Sequence, residues 1–275
     1  MEQPENQIEA VPTYSAPVAP QPEVQPEEPA QMNWFQRLIG VLLSPTETFT
    51  DVNRKPTIIA PMIIVMALVI VTIGLTNWKL GPFMDDIMRA QIKKQLERQN
   101  VTLTEEQMAQ QMTLARTINK FMPFIGAAFV PIIYLIIAGL FALGMMMIQA
   151  KATFKKIYSV VLWTFAGLGI VGNAIYWGVL FMKDEEALRA MDVQDPTAGV
   201  PTNLAVFLDA GTSPAIKALA GSMDIISFWT IAVLSIGLAA IAGSKKIKPG
   251  KTAMIVIAFW AIYVIGRMGL AALRG

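Results

Sequence analysis

Apolar positions in this chain are gathered into five blocks, near residues 58–77, 124–148, 158–182, 225–242 and 252–272. The first reads IIAPMIIVMALVIVTIGLTN and holds no ionisable side chain. About 20 apolar residues in an α-helix cross the roughly 30 Å hydrocarbon core of a bilayer. An α-helix also satisfies its backbone hydrogen bonds within one segment, as hydrocarbon requires. The pattern therefore predicts an all-α fold, a polytopic membrane bundle with five transmembrane helices.

Shorter periodic stretches precede and separate these blocks. In WFQRLIGVLL, Trp34, Leu38 and Val41 share a face with Phe35, Ile39 and Leu42, while Gln36 and Arg37 are polar. That spacing predicts a helix lying in the membrane interface with a tryptophan anchor. SPTE follows: Ser44 suits an N-cap, Pro45 the first helical position, and Glu47 the closing position of a capping box. Phe49 and Val52 give a second short apolar face, ended by Arg54, Lys55 and Pro56. Interfacial helices over 33–55 thus form an elbow before the chain enters the bilayer.

The first long loop, 79–122, reads as an external helical hairpin packed on itself. Met84, Met88, Ile92 and Leu96 make one stripe, and Met108, Met112, Ala115 and Met122 the next. Asn100 is the expected stop, and Thr104 with Gln107 the expected capping box. In the second loop, 183–224, the apolar run in NLAVFLDAG is too short to span and is expected at the interface. Ser213 followed by Pro214 predicts a short helix start.

Residues 1–31 hold seven prolines, six glutamates and no Lys or Arg, so they are expected to form a disordered, extended acidic tail ahead of a membrane domain over 32–275. They lack the basic and apolar regions of a signal peptide. Hydrophobic residues make up 54% of the chain and charged ones 15%. The net charge of +2 and the absence of an aromatic-interleaved basic run argue against nucleic acid. Orientation follows from Lys and Arg in the short loops. Arg37, Arg54 and Lys55 precede the first block. Lys151, Lys155 and Lys156 lie between the second and third, and Lys245, Lys246, Lys248 and Lys251 between the fourth and fifth. A cytoplasmic N-terminus and an extracytoplasmic C-terminus are expected.

Chemistry is restricted by two zeros. The chain has no Cys and no His, which removes thiolate catalysis, zinc–thiolate sites and the commonest neutral-pH base and metal ligand. GLGIVG (Gly167, Gly169, Gly172) matches a dinucleotide pattern by letters, but that pattern works only where a strand turns into a helix. Inside an apolar block it instead predicts close helix approach, as does the row Ser235, Ala239 and Gly243. Polar residues at membrane depth are few: Asn173, Thr164, Thr230, Ser235, and Arg267 near the end of the fifth block. Asn173 is expected to make an interhelical hydrogen bond. No catalytic, cofactor or metal-binding residue is assigned.

RLIGVLLSPTETFTDV, NLAVFLDAG with SPAIKALAGSMDIISFWTIAVLSIGLAAI, and GKTAMIVIAFWAIYVI resemble the bacterial branch of the Yip1 domain family over about residues 33–272. The resemblance implies a five-helix integral membrane domain with a cytoplasmic N-terminus. Eukaryotic members are associated with Rab-type GTPases and early secretory traffic. Their DLYGP-like signature is not found before the first span, and KLGPF at Lys79–Phe83 follows it, so Rab binding is not carried over.

The function expected is that of a non-enzymatic protein of the bacterial cytoplasmic (inner) membrane that organises lipids or protein partners, a homo-oligomer among them. Trp34, Phe35, Arg37, Ser44, Pro45, Glu47, Phe49, Asp224 and Trp229 are the candidate interaction and anchoring residues. The competing reading is a small-solute transporter or channel, based on the polar, Gly-rich third block and a kink at Pro131.

Overall fold

The computed structural model describes residues 31–189, 202–209 and 211–274. The tail over 1–30 and the acidic stretch over 190–201 lie outside them. Among the described residues the fold is all-α: α1 (Trp34–Leu43), α2 (Pro45–Arg54), α3 (Ile59–Leu80), α4 (Met84–Arg98), α5 (Glu105–Met147), α6 (Phe154–Met182), α7 (Glu185–Arg189), α8 (Pro214–Ser222), α9 (Ile225–Ala240) and α10 (Pro249–Arg274).

Four helical runs are long and apolar enough to cross a membrane: α3 with its continuation into α4, then α5, α6 and α10. The fifth expected span appears as α9, which has only 16 residues. At 1.5 Å per residue it is about 24 Å long, less than the roughly 30 Å of hydrocarbon. Its end is set by Gly243, whose φ of +69° turns the chain towards α10.

Two helices overrun the apolar blocks. A 3-10 turn, Gly81–Phe83, passes α3 into α4, and α5 begins at Glu105, well before the apolar stretch. Together α4 and the start of α5 make the expected hairpin. Asn100 stops α4 with φ +52°, and Thr104 and Gln107 cap α5 reciprocally at 3.3 and 2.9 Å. Arg116 bridges to Asp85 at 2.9 and 2.6 Å. Its donation holds the Asp85 carboxyl below the usual carboxylate range, although an exposed pair contributes little to stability. The hairpin is not packed only on itself. Ile87 is buried with Leu80, Phe83, Leu180 and Leu188, so the outer ends of α3, α6 and α7 form its root.

The core centres on α6. From Ile157 to Leu168 this helix is buried on every side, Phe165 alone being half-buried. A helix apolar and buried all round must be enclosed by other helices, and α1, α2, α3, α5 and α9 supply the enclosure. Small residues set the approach distances. A Cβ at Gly167 would lie 3.0 Å from Val41 of α1, and one at Gly169 would lie 3.3 Å from Leu68 of α3. GLGIVG is thus helix interior, with no strand before it.

At one end the amide of Lys151 donates to Ala242 O at 2.9 Å, joining the two short loops. The lysines of both loops therefore collect at a single end of the bundle, opposite the α4–α5 hairpin. Pro123 and Pro131 both lie within a continuous α5, and Tyr158 Oη donates to Pro131 O at 3.3 Å.

Gly237 offers a direct test of this packing. A Cβ there would sit 2.6 Å from Val160 Cγ1 and 3.1 Å from the Phe49 ring. Gly237→Val is expected to cost about 1–3 kcal/mol through overpacking, read as a lower thermal midpoint in detergent. Gly266→Ala, inside α10 where nothing lies within 4 Å, should not destabilise and should instead raise stability by about 0.5–1 kcal/mol through helix propensity.

Candidate functional site

Six of the candidate residues lie on α1 and α2 and a seventh, Ser44, joins them, and the structure brings these helices together as an antiparallel hairpin. Gly40 leaves room for Thr48 across the pair, and Arg37 faces Asp51. The helix α1 is capped by Asn33 and Gln36, which bond each other's amides at 2.9 and 2.8 Å, a capping box legible in the sequence and overlooked. The one expected at the elbow does not form. Ser44 is at once the last cap of α1 and the N-cap of α2, with φ −142° and ψ 59°, and its hydroxyl makes no cap bond. Pro45 does take the first helical position. Glu47 lies on an exposed face, and the Ser44 amide donates instead to Gly40 O at 2.7 Å.

Nor does the pair lie flat against the bundle end. The helix α1 runs along α6 until Val41 meets Gly167, thirteen residues into a 29-residue helix and about 20 Å from its start. On the return, Phe49 is fully buried against Val160 and Gly237. The two helices thus enter the bundle, turn near the middle of α6 and leave again. Trp34 and Phe35 point outwards, 57% and 53% exposed and stacked edge to face at 5.7 Å.

Arg37 was expected on the polar outer side but is buried with Asp51. Their side chains are 3% and 5% exposed, 2.7 Å apart. The guanidinium donates four hydrogen bonds and also lies in ion-pair contact with the carboxylate. Nε and Nη2 reach Asp51 Oδ2, Nη2 also Asp51 O, and Nη1 both Lys55 O at 3.0 Å and Thr57 Oγ1 at 2.8 Å. Asp51 Oδ1 accepts the amides of Gln31 and Met32 at 2.7 and 3.3 Å. Thr57 carries the network into α6, since its Oγ1 also accepts Trp163 Nε1 at 3.1 Å and its carbonyl accepts Ser159 Oγ at 2.8 Å.

The remaining candidates lie towards the opposite end, around a cavity of about 1000 Å³ between α3, α5, α6, α9 and α10. Its inner part is apolar, with Phe141, Phe165, Leu234 and Phe259 among its walls. Its outer part carries a polar lane. Asn173 accepts from Thr72 Oγ1 and donates to Gly169 O at 2.7 Å, which is the expected interhelical contact, and Tyr176 pairs with Thr76 at 3.2 Å. Asp224 stands at the rim as the N-cap of α9, accepting the Ser227 amide at 2.9 Å and the Ser227 hydroxyl. Trp229 faces outwards from α9, 38% exposed. No sequence pattern marks this cavity, because it is a space left among five helices.

These features define an integral membrane protein built as an α-helical bundle with a helical hairpin packed against its central helix. The chain belongs to the Yip1 domain family, whose model matches residues 39–270. It is similar to the membrane protein YknW of Bacillus subtilis (strain 168), at 28% identity over 223 residues, covering 80% of this chain and 84% of the relative. That likeness supports the bacterial branch. No solved structure matches the chain.

Breaking a buried ion pair leaves a charge without a partner, at a cost of about 3–5 kcal/mol. Arg37→Ala and Asp51→Ala should each destabilise by that amount in detergent unfolding. The double variant Arg37→Met, Asp51→Leu should lie much closer to wild type. Ser44→Ala removes no bond and should cost at most about 0.5 kcal/mol.

Proposed function

We propose that the protein is a non-enzymatic organiser of protein partners or lipids in the bacterial cytoplasmic membrane. The observation that carries this reading is how its buried charge is used. Among the described residues, Arg37 and Asp51 are the buried charged side chains, and each is consumed by hydrogen bonds inside the fold. General acid–base catalysis needs a titratable group within reach of substrate, and ion coupling normally uses ionisable groups inside the membrane. Neither use is open to this pair. Meanwhile Trp34, Phe35 and Trp229 present aromatic surface outwards, the residue types that anchor interfaces.

In this reading α9 also crosses the bilayer, helped by local thinning where a span is short, and completes five spans. The domain then comprises residues 32–275, with the tail and the lysine-bearing loops in the cytoplasm and the C-terminus outside. A second reading, a small-solute transporter or channel, is favoured by the cavity and its Thr72–Asn173 lane. Solute flux in proteoliposomes that Asn173→Leu abolishes would support it over the first.

Two experiments follow. A photo-crosslinking residue at Phe35 or Trp229 should yield discrete intermolecular adducts in native membranes, whereas one at Val41 should yield only internal ones. Absence of adducts at both outward positions would overturn the organiser reading. The chain lacks cysteine, so single substitutions report topology cleanly. An impermeant maleimide should label Lys120→Cys and Leu273→Cys from outside, and Lys246→Cys only after permeabilisation. Outside labelling of Lys246→Cys would show that α9 does not cross.

A further inference from the structure

We propose that the outer cavity is a binding site for one zwitterionic aminophospholipid, with an acyl chain in its inner part and the ammonium-bearing head at its rim. The proposal deepens the lipid arm of the proposed function and rests on it.

The first support is size and shape. At about 1000 Å³ the cavity is at the upper end of the roughly 300–1,000 Å³ of small-molecule sites. Its long direction follows the helices. The walls change from Phe141, Leu234 and Phe259 at the inner end to Asn119, Asn203 and Asp224 at the outer. A space that is apolar at one end and polar at the other matches an amphiphile standing parallel to the helices. It does not match a compact polar solute, which would leave the inner wall unfilled.

The second support is access. Towards the lysine end α5 and α10 pack closely, with Phe141 edge-on to Phe259 at 5.8 Å and Gly144 against Ile255. Outwards from there the cavity occupies the space between them. Leu140 on one side and Tyr263 on the other both line it and are 41% and 58% exposed. An opening between two membrane helices faces hydrocarbon, so a chain can enter sideways without crossing water.

The third support is the charge at the rim, which selects the head. Among the described residues the lining contains Asp224 and no Lys or Arg. Its carboxylate accepts from Ser227 at both oxygens, and a carboxylate has about four acceptor positions, so it can also take an ammonium donor. Arg267 brings a positive charge to the same neighbourhood. Its Nη1 donates to Ser222 Oγ at 3.1 Å, two residues before Asp224, and its guanidinium lies 5.9 Å from the centre of the Tyr263 ring. Arg267 itself stays outside the lining, so it is the carboxylate at the rim that selects, and it complements a head carrying an ammonium group. An anionic head without the ammonium would meet Asp224 as a like charge.

The test uses the full chain in mild detergent, delipidated and then offered dioleoylphosphatidylethanolamine or dioleoylphosphatidylglycerol, with bound lipid counted by native mass spectrometry. Wild type should retain one phosphatidylethanolamine, at least about tenfold more tightly than phosphatidylglycerol, which is about 1.4 kcal/mol. Asp224→Asn should erase that preference while leaving the fold intact, because Asn caps helices as well as Asp does. Gly172→Phe should abolish retention of either lipid. A Cβ there meets only Ile226, at 3.8 Å, so the ring extends into the cavity. Thr230→Trp fills the same space from α9 and replaces Gly172→Phe if that variant does not fold. Gly178→Phe on the open side of α6 should retain the lipid.

Equal retention of the two lipids by wild type would overturn the head assignment. Undiminished retention by a folded, cavity-filled variant would overturn the site. Either result leaves the outward crosslinks at Phe35 and Trp229 to be judged separately.

Discussion

The requirement that Arg37 and Asp51 meet is the constraint to which the rest of the bundle is fitted. The helix α2 reads PTETFTDVNR and is too polar to enter an apolar bundle by hydrophobic burial alone. It enters because its one buried carboxylate meets a guanidinium from the facing helix, and the remaining donors of that group find Lys55 O, Thr57 Oγ1 and Asp51 O. Desolvating two charges costs several kcal/mol per ion, which only full pairing and complete hydrogen bonding offset. Here the ion pair is backed by a network of four guanidinium hydrogen bonds. It also fixes the hairpin's position, because Thr57 passes the network to Ser159 and Trp163 of α6.

With the hairpin so fixed, the two halves of the bundle differ. Near the lysine end the helices close around α6, and Gly167 and Gly237 allow Val41 and Phe49 to approach at contact distance. Beyond the elbow no hairpin remains to fill the space. The helices enclose the cavity instead, and between Phe165 and Tyr176 one side of α6 becomes its wall. Tight packing and open space are therefore consequences of one feature, a wedge that reaches only halfway along the central helix.

Much of this was legible in the sequence where the determinant is local. Apolar runs located α3, α5, α6 and α10. The stop at Asn100 and the Thr104–Gln107 cap followed from their own short stretches. Where the determinant is tertiary, the same reasoning failed. Amphipathic periodicity puts an arginine on the outside of α1, yet Arg37 turns inwards because Asp51, fourteen residues later, returns to face it. The Ser44–Glu47 pattern has the right letters, but a Ser44 that must also end α1 cannot aim its hydroxyl at the following turn. The reach of α5 past its apolar stretch was hidden by the polar residues that begin it.

The run GLGIVG condenses the argument. Its three glycines face three different neighbours: Val41 of the hairpin, Leu68 of α3 and Ile226 of α9. Side chains at these places would push the hairpin out of its seat, move α3 away, or fill the cavity. Gly167 and Gly172 are five residues apart, about 7.5 Å along one continuous helix. The seat of the hairpin and the wall of the cavity therefore belong to a single rigid element, and what holds one in place defines the other.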